Sequence, residues 1–387
     1  MLQLNKRVNL VICQKSKVND WVEHFEKYYD LIVYNLTDKT ELDEFVNCDG
    51  SILADIDFYR KRVGVINYEL AFRRSKLAEL KDFTIMLDES SLIQNETAKR
   101  SKFILKKLHP KNVILLSGTP TSGKYEKLWS QMNLLGWNIS KKMYYNQYVD
   151  MEITSEGYPI IRGYKNVERL KRKMREHGCV FMKSDEVLDL PQQNFITVNV
   201  PESKEYKKFM KSGIVNVGNV ELVGDTTLTK LLYARQLCGM YNADKLKAFR
   251  DLVESTDDRL IVFYNFTNEL VELEAIVNDC GKPFSIVNGK CKRLDEYEQH
   301  DNSVTFVQYQ AGAMGLNLQL ANKIIYFTPP LSSELFEQSK KRIHRIGQNR
   351  PCFYYQLKNG IDYNIYNTLS MRRDYTDALF EEDNLLR

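Results

Sequence analysis

The sequence is poor in the residue patterns that build metal centres and disulfide frameworks. Its seven cysteines are scattered over 387 residues without a CxxC pair, and none stands at zinc-ligand spacing from one of the five histidines. A structural metal site is therefore not expected. An odd number of isolated cysteines is typical of reduced thiols, so we expect a cytoplasmic protein.

A long apolar run and a strong net charge are also missing. No segment approaches the roughly 20 apolar residues that a membrane-spanning helix needs, so we expect no membrane association. The first residues, MLQLNKRVNLVIC, lead directly into a strand-like run instead of a secretory signal. The formal net charge is only +4, so any surface that binds nucleic acid must be local.

Short runs rich in β-branched residues alternate with helical patterns over most of the chain. The runs are almost continuous in apolar residues, as in parallel strands covered on both faces, which predicts open α/β sheets. The alternation breaks over residues 143–189 and then resumes, so we predict two lobes, 1–200 and 201–387, joined near Pro201. The predicted strands include Val8–Cys13, Leu31–Tyr34, Val63–Ile66, Phe83–Leu87 and Val113–Leu116, and later Phe195–Val200, Arg259–Tyr264, Phe284–Val287, Val304–Gln308 and Lys323–Phe327.

Two adjacent carboxylates, Asp88 and Glu89, follow the predicted strand FTIML. In sheets of this kind, ligands bind at the carboxyl ends of the strands. One carboxylate could hold Mg²⁺, and the other could orient the attacking water or accept its proton in phosphate chemistry. Taken alone, the pair is better explained as a solvated turn that caps the next helix.

The next predicted strand ends in the turn Ser117–Pro120 (SGTP), whose hydroxyl groups could link a nucleotide site to a neighbouring surface. An ordinary turn is the simpler explanation. Residues 118–124, GTPTSGK, also match the first seven positions of the phosphate-loop pattern GxxxxGK[ST]. Tyr125 replaces the hydroxyl that would ligate Mg²⁺, and Pro120 lacks a cradling N–H, so a phosphate loop here is a distant hypothesis.

Two further segments follow in the second predicted lobe. Gln310–Gln319 (QAGAMGLNLQ) contains two glycines that permit close approach of a phosphate or a nucleic-acid strand, although a flexible turn explains them equally well. Gln338–Gln348 (QSKKRIHRIGQ) places Arg342 and Arg345 three residues apart, on one helical face. Guanidinium groups aimed at a γ-phosphate stabilise charge in phosphoryl transfer, whereas the alternative is a solvated basic helix.

Taken in order, these blocks resemble the Snf2-like branch of the superfamily 2 helicase-type ATPases. The resemblance covers about residues 8–370, and seven or eight short motifs in the family's order are highly specific. The similar blocks are 11–25 (motif Ia), 63–72 (Ib), 87–91 (II), 117–120 (III), 179–191 (the stretch joining the lobes), 259–266 (IV), 311–318 (V) and 338–348 (VI).

The resemblance implies an α/β fold of two RecA-like lobes with parallel sheets, the P-loop NTPase helicase core, with ATP in the cleft between them. It implies an ATP-dependent DNA translocase or helicase that uses ATP and Mg²⁺ and holds duplex DNA mainly by its backbone. Compact forms of this family suggest a bacterial or phage-infected cytoplasm. In the implied roles Asp88 binds Mg²⁺, Glu89 activates water and Arg342 and Arg345 are arginine fingers; Gly315, Asn317 and Gln338 bind nucleotide, Ser117 and Thr119 couple the sites, and Gln14, Lys15, Asn67 and Gln310 contact nucleic acid.

One block of the family has no counterpart in this sequence. The family begins with a strand, a GxGKT phosphate loop and a helix, which need roughly 20–30 residues, whereas Met1 lies only ten residues before Val11. We therefore expect an N-terminally truncated first lobe with weak ATP binding and exposed strand edges, either unstable alone or completed by a second polypeptide. The alternative function is a non-hydrolysing nucleic-acid-binding protein, or a helicase fragment that needs that second polypeptide.

Overall fold

A computed structural model describes residues 1–4, 6–47, 60–118, 120–121, 123–155, 157–182, 188–312 and 315–380. The chain divides into two units, one formed by Met1–Phe181 with the C-terminal stretch from Asp374, the other by Met182–Arg373. None of the helices in the described ranges is long and apolar enough to cross a membrane.

The first unit contains a five-stranded sheet in which every neighbouring pair is parallel. The spatial order of the strands is β2-β3-β1-β4-β5. β1 and β3 are buried along their whole length, whereas β5 at the edge is only half-buried. The strands are β1 (Val8–Cys13), β2 (Ile32–Asn35), β3 (Arg62–Asn67), β4 (Phe83–Asp88) and β5 (Asn112–Leu116).

Both faces of this sheet are covered because successive side chains of each strand point to opposite sides. Leu10 and Ile12 of β1 belong to one apolar cluster, with Phe45, and Val11 and Cys13 belong to another, with Phe25. The helices of the unit are α1 (Val18–Tyr28), α2 (Lys39–Asn47), α3 (Tyr68–Ala71), α4 (Lys99–Lys106), α5 (Trp129–Leu134), α6 (Lys141–Tyr148) and α7 (Val167–Glu176), with 3₁₀ turns at Leu2–Leu4, Lys15–Lys17, Ser75–Glu79, Ser90–Ile93 and Tyr125–Leu128.

The region where the sequence alternation breaks forms a separate aromatic cluster. Tyr144 and Tyr148 of α6 pack with Leu170 and Met174 of α7, and all four are almost fully buried. An antiparallel hairpin follows α6 and consists of β6 (Val149–Ile153) and β7 (Pro159–Tyr164). Large aromatic residues at helical spacing replace the β-branched runs here, which explains the loss of the parallel-strand pattern.

The second unit contains a seven-stranded sheet in the order β13-β12-β14-β11-β15-β16-β8. Every neighbouring pair is parallel except β12 and β13. The strands are β8 (Gln193–Asn199), β11 (Leu260–Tyr264), β12 (Phe284–Val287), β13 (Lys292–Arg293), β14 (Val304–Gln308), β15 (Lys323–Tyr326) and β16 (Cys352–Lys358), and a separate hairpin contains β9 (Ile214–Val217) and β10 (Val220–Val223). The helices are α8 (Lys204–Ser212), α9 (Thr227–Cys238), α10 (Ala243–Glu254), α11 (Thr267–Asp279), α12 (Asp295–Gln299), α13 (Tyr309–Gly312), α14 (Ser333–Lys340) and α15 (Asp362–Phe380).

The prediction of two α/β units with parallel sheets is confirmed, and each predicted strand coincides with an observed one to within a few residues. The division between the units differs from the predicted joint near Pro201, because it lies between Phe181 and Met182. The reason is the pairing of β8 with β16, which places the strand before Pro201 in the sheet of the second unit.

Candidate functional site

Glu89 occupies a backbone conformation that is rare for a residue with a side chain. Its φ of +58° and ψ of 58° lie in the left-handed region, directly after β4 and before the 3₁₀ turn at Ser90. Such strain of roughly 1–3 kcal/mol tends to occur where the surroundings fix a functional side chain. Here the hydroxyls of Ser91 and Ser117 both donate to Glu89 Oε1, at 3.0 and 3.1 Å. The structure therefore brings the predicted coupling residue Ser117 against the predicted catalytic carboxylate.

Asp88, the last residue of β4, is held by two aromatic side chains. The Trp21 indole Nε1 donates to Asp88 Oδ2 at 2.9 Å, and the Tyr68 hydroxyl donates to the Asp88 backbone oxygen at 3.0 Å. Burial raises the pKa of Tyr68 well above its usual value, and the charges of Asp88 and Glu89 add to this rise. The phenol therefore stays protonated and remains a donor.

Sequence reasoning missed both Trp21 and Tyr68, although each lies in a block that had been singled out. A signal did exist, because tryptophan and tyrosine combine a large apolar body with one polar group that needs a partner when buried. Tyr68 is completely buried, so its hydroxyl had to find an acceptor inside the protein. The identity of that acceptor depends on the pairing of β1 with β3 and β4.

The turns that follow β4 and β5 are joined by side-chain amides. The Ser90 hydroxyl donates to Gln131 Oε1 at 3.0 Å, and Gln131 Nε2 donates to the carbonyl oxygen of Pro120 at 2.7 Å. Gln94 Nε2 donates to the same carbonyl at 2.9 Å. These bonds connect the two turns through fixed geometry, whereas Thr119, the other predicted coupling residue, lies outside the described residues.

The pair Asp88 and Glu89 suits Mg²⁺ better than a metal held entirely by protein ligands. Within the ranges that the structure describes, no group of three or more His, Cys, Asp or Glu residues could hold a metal ion. Mg²⁺ usually keeps several waters and binds through one or two carboxylates and substrate phosphates, which fits this sparse donor set. The hydrogen bond from Trp21 goes to Oδ2 of Asp88, and Oδ1 takes no part in it.

Two backbone amides of the phosphate-loop-like segment 118–124 donate within the segment itself. The amide of Gly123 donates to the Thr121 hydroxyl at 3.0 Å, and the amide of Lys124 donates to the Thr121 carbonyl at 2.9 Å. Amides that bond inside the turn are not directed at a phosphate, which gives no support to a phosphate loop at this position.

A surface cavity of about 440 Å³ lies beside the carboxyl-end segments that follow β1, β2 and β3, and we call it the Lys15 cavity. Two of the predicted nucleic-acid-binding residues, Lys15 and Asn67, meet in its wall. Gln14, directly before Lys15, is half-buried. Two cations and several amide or hydroxyl groups can bind phosphate oxygens. The lining consists of Lys15, Val18, Asn19, Thr37, Asn67, Glu69, Leu70 and Arg73.

In the second unit, Arg342 and Arg345 both bond to the loop that contains Gly315. Arg342 is only 9% exposed, and it donates from Nε to the carbonyl of Gln338 at 3.1 Å and from Nη1 to that of Leu316 at 3.4 Å. Arg345 is less buried and donates from Nη1 to the Leu316 carbonyl at 3.3 Å and to Asn317 Oδ1. Of the two predicted fingers, Arg345 is therefore the better placed to reach a ligand.

The remaining predicted residues of this unit are close in space with one exception. Gly315 has a φ of +69°, a conformation that favours glycine. Gln338 is buried, and its Nε2 lies 3.5 Å from Glu334 Oε1. Gln310 is exposed on α13, and the described hydrogen bonds do not join it to the arginine segment. Gln348 closes the block Gln338–Gln348 but was given no role of its own from the sequence; its Nε2 donates to the carbonyls of Ala321 at 2.7 Å and Gln319 at 3.1 Å.

Comparison with known proteins gives two family matches. The family model of the SNF2-related domain matches residues 3–245, and that of the helicase conserved C-terminal domain matches residues 244–347. The chain is 24% identical over 390 residues to an ISWI chromatin-remodeling complex ATPase of Saccharomyces cerevisiae, with 90% of this chain and 34% of the relative aligned. It is 21% identical to an uncharacterized ATP-dependent helicase of Mycoplasma pneumoniae, with 97% of this chain and 37% of the relative aligned.

A solved structure is also similar, that of the SWI2/SNF2 ATPase core of Sulfolobus solfataricus in complex with dsDNA. The match has a TM-score of 0.41 and 17% identity, and it covers 99% of this chain and 84% of that one. The present chain spans about a third of the length of the two relatives named above.

Proposed function

Because the chain belongs to the SNF2-related domain family, we propose that it acts as an ATP-dependent DNA translocase or helicase. The finer assignment is that the chain hydrolyses ATP with Mg²⁺ and that the DNA substrate is a duplex held by its backbone. The observation that carries this proposal is the geometry of Glu89, whose backbone is strained and whose carboxylate is held by Ser91 and Ser117 directly after the Asp88 carboxylate.

In the first unit, Glu89 is the general base. Two hydroxyl donors on Oε1 fix the orientation of the carboxylate, so it can accept a proton from an attacking water without first reorganising. Asp88 is the residue that would hold Mg²⁺, which when bound neutralises negative charge on the phosphate oxygens. Ser117 links the turn after β5 to Glu89, so a shift of that turn changes the position of the base.

In the second unit, Arg345 stabilises the charge that develops during phosphoryl transfer. Arg342 supports it, because both guanidinium groups bond to the Leu316 carbonyl. Removing Arg342 is therefore expected to displace the loop around Leu316 as well as to remove a positive charge.

DNA binding is assigned to the Lys15 cavity. Its exposed cations, Lys15 and Arg73, can contact phosphate groups, and Asn19 and Asn67 can donate to phosphate oxygens. Glu69 in the same wall disfavours a densely anionic ligand, which suits one or two phosphates of a backbone. Binding of this kind weakens as salt rises, and Lys15→Ala is expected to reduce the salt dependence by about one released counterion.

The decisive experiment measures phosphate release from ATP by the purified full chain with and without duplex DNA. We expect DNA-stimulated release, reduced at least about 100-fold by Glu89→Gln and by Arg345→Ala. Glu79→Gln, an exposed carboxylate of the same unit, is the matched control and should leave the rate unchanged. Release that is insensitive to Glu89→Gln and Arg345→Ala would contradict the assignment.

The second candidate is a nucleic-acid-binding protein that does not hydrolyse ATP by itself, and the edge strand β5 favours it. Val113, Ile114 and Leu115 are half-buried, Leu116 is 41% exposed, and the strand contains no charged residue. Natural edge strands usually carry charge or proline that prevents further pairing. This candidate predicts salt-sensitive DNA binding by the chain alone without phosphate release.

We propose that the partner of this edge is a strand that carries a GxGKT loop, supplied by a second polypeptide. The amide of Lys111 donates to the carbonyl of Phe83, so by strand alternation the backbone groups of Ile114 and Leu116 point away from β4. A strand placed there would bring its carboxyl end beside Ser117, where a phosphate loop would lie near Asp88 and Glu89.

A synthetic strand–GxGKT–helix peptide added to the full chain tests this proposal. We expect the peptide to raise ATP binding and phosphate release, and we expect Ile114→Lys to weaken the peptide's effect. A peptide with alanine in place of the GxGKT lysine is the control for strand pairing without phosphate contacts. If the intact peptide neither binds the chain nor changes ATP binding, the proposed partner is wrong.

A further inference from the structure

We propose that Trp21 is a positioning residue for Asp88, and that Trp21 and Tyr68 together couple the Lys15 cavity to the affinity of Asp88 for a divalent cation. The inference rests on the proposed role of Asp88 as the cation ligand. It assigns a task to two aromatic residues that the hydrolysis chemistry itself does not require.

The first connection runs through helix α1. Val18 and Asn19, at the start of this helix, line the Lys15 cavity. Trp21, less than one turn later, donates from its indole to Asp88 Oδ2 at 2.9 Å. Its ring stacks on Phe25, with centroids 5.5 Å apart and planes inclined by 25°, and Phe25 is buried in the core below. The stacking on Phe25 therefore restricts rotation of the indole away from the carboxylate.

The second connection runs through the end of β3. Asn67 lines the same cavity, and the next residue, Tyr68, donates from its hydroxyl to the backbone oxygen of Asp88 at 3.0 Å. Tyr68 is completely buried, so its ring is held by the side chains packed around it. The bond from Trp21 therefore fixes the orientation of the Asp88 side chain, and the bond from Tyr68 fixes the position of its backbone. Each donor residue lies within two residues of one that lines the cavity.

The hydrogen bond from Trp21 gives Asp88 a fixed rotamer. A carboxylate with one oxygen engaged by an indole N–H presents its second oxygen in a defined direction, as outer partners do for ligands in metal sites. If that bond is lost, Asp88 samples several rotamers and must lose this freedom when it binds a cation. We therefore expect a lower cation affinity without any change in the charge of the site.

The coupling follows because a backbone phosphate bound by Lys15, Asn19 and Asn67 would restrict the two segments that carry Trp21 and Tyr68. DNA is then expected to tighten cation binding at Asp88, and by thermodynamic reciprocity the cation tightens DNA binding by the same factor.

Indole N–H resonances of the ¹⁵N-labelled full chain provide a direct test of the contact. The chain has three tryptophans, and Trp21→Phe identifies the Trp21 signal by its loss. We expect Asp88→Asn to shift the Trp21 signal. The signal of Trp129, whose indole donates to the Ile139 carbonyl at 2.8 Å, should stay in place as the internal control. An unchanged Trp21 signal in Asp88→Asn would overturn the proposal.

Mn²⁺ then serves as the cation probe, because it broadens nearby resonances and its free concentration is measured by electron paramagnetic resonance. We expect Mn²⁺ to broaden the Trp21 signal selectively, and Trp21→Phe to weaken Mn²⁺ binding roughly ten-fold. Trp129→Phe, which also removes a partly buried indole hydrogen bond, should not change Mn²⁺ affinity. Equal Mn²⁺ affinity in wild type and Trp21→Phe would contradict the positioning role.

Duplex DNA completes the experiment. We expect DNA to raise Mn²⁺ affinity in the wild type and to lose most of this effect in Trp21→Phe. Tyr68→Phe, which removes only a hydroxyl, should show the same loss to a smaller extent, and it keeps the test decisive if Trp21→Phe does not fold. An intact Trp21–Asp88 contact without any Mn²⁺ binding would instead contradict the proposed cation role of Asp88, so the two failures are distinguishable.

Discussion

Two edge strands, one from each sheet, differ in their chemistry. β13, at one edge of the second unit's sheet, is a two-residue antiparallel strand of exposed Lys292 and Arg293, whereas β5, at an edge of the first unit's sheet, is an aliphatic run without charge. Short and charged edges discourage further strand pairing. The comparison indicates that β13 closes its edge of the second sheet, whereas β5 offers an edge suited to another strand.

The two units also differ in how they use buried charge. In the second unit, Lys245 Nζ and Asp362 Oδ2 form an ion pair at 2.6 Å with side chains that are 0% and 1% exposed. The described ion pairs of the first unit are all more exposed than this one. Among the described residues, a buried ion pair therefore distinguishes the second unit from the first.

The largest effect is expected from Lys245→Ala, which leaves Asp362 buried without its cation. Breaking a buried pair in this way costs about 3–5 kcal/mol, so urea unfolding of the full chain should show a large loss of stability in the transition of the second unit. Lys247→Ala, an exposed position of the same helix, is the control. Similar stability of the two variants would show that the buried pair does not distinguish the units.

A smaller loss is expected in the first unit from Gly64→Ala in β3. An added Cβ would lie 2.6 Å from Leu36 Cδ1 and 2.9 Å from Phe45 Cζ, and both side chains are completely buried. Overpacking a core costs about 1–3 kcal/mol, which circular dichroism during urea unfolding can measure. At Gly163, where an added Cβ meets nothing within 4 Å, the same change should be nearly neutral, and an equal cost at both positions would contradict the packing argument.

The third effect concerns the pH dependence of folding stability, to which Glu269 of α11 contributes. Burial raises the pKa of Glu269, although Oε2 accepts from the amides of Asn265 and Phe266 and from the Thr328 hydroxyl. The folded state then holds the proton more tightly than the unfolded state, so this contribution to stability is lost as pH rises through the folded pKa.

We expect the urea midpoint of the second unit to fall between about pH 5 and the folded pKa of Glu269, and Glu269→Gln to remove that decline. Glu272→Gln, on the same helix and exposed, should keep it. A decline that persists in Glu269→Gln would assign the pH dependence to other groups.

The smallest effect on stability is expected from a lysine at the centre of β5. Ile114→Lys should change the free energy of unfolding by only about 0.5 kcal/mol because the position is half-exposed, yet it should reduce concentration-dependent self-association in sedimentation experiments. Ile196→Lys, at the 36%-exposed position in edge strand β8 of the other sheet, is the matched variant. Equal loss of self-association in both variants would show that the two edges are equivalent.

The strands could be predicted because parallel strands buried on both faces require continuous apolar runs. Asp88, Glu89 and Ser117 could be proposed together because β4 and β5 are consecutive in sequence and adjacent in the sheet. The contact of Trp21 with Asp88 joins residues 67 positions apart. It depends on the insertion of β1 between β3 and β4, and no local pattern carries that order.

Arg342 shows a different limit of sequence reasoning. The sequence predicted that Arg342 shares one helical face with Arg345. It did not predict that Arg342 is buried against the carbonyls of Gln338 and Leu316. Two arginines of the same motif therefore have different accessibilities, and only the packed structure separates them. The predicted roles of the individual site residues remain predictions that the substitutions described above will test.

The side-chain amide of Gln348 bonds to the carbonyls of Gln319 and Ala321, and Arg345 bonds to that of Leu316. These bonds cross-link two stretches of chain with little regular secondary structure. A loop held at several points loses its conformational entropy during folding, and it does not lose that entropy again when a ligand binds. The segment is therefore preorganised, and its ligand affinity depends on the folding stability of the second unit.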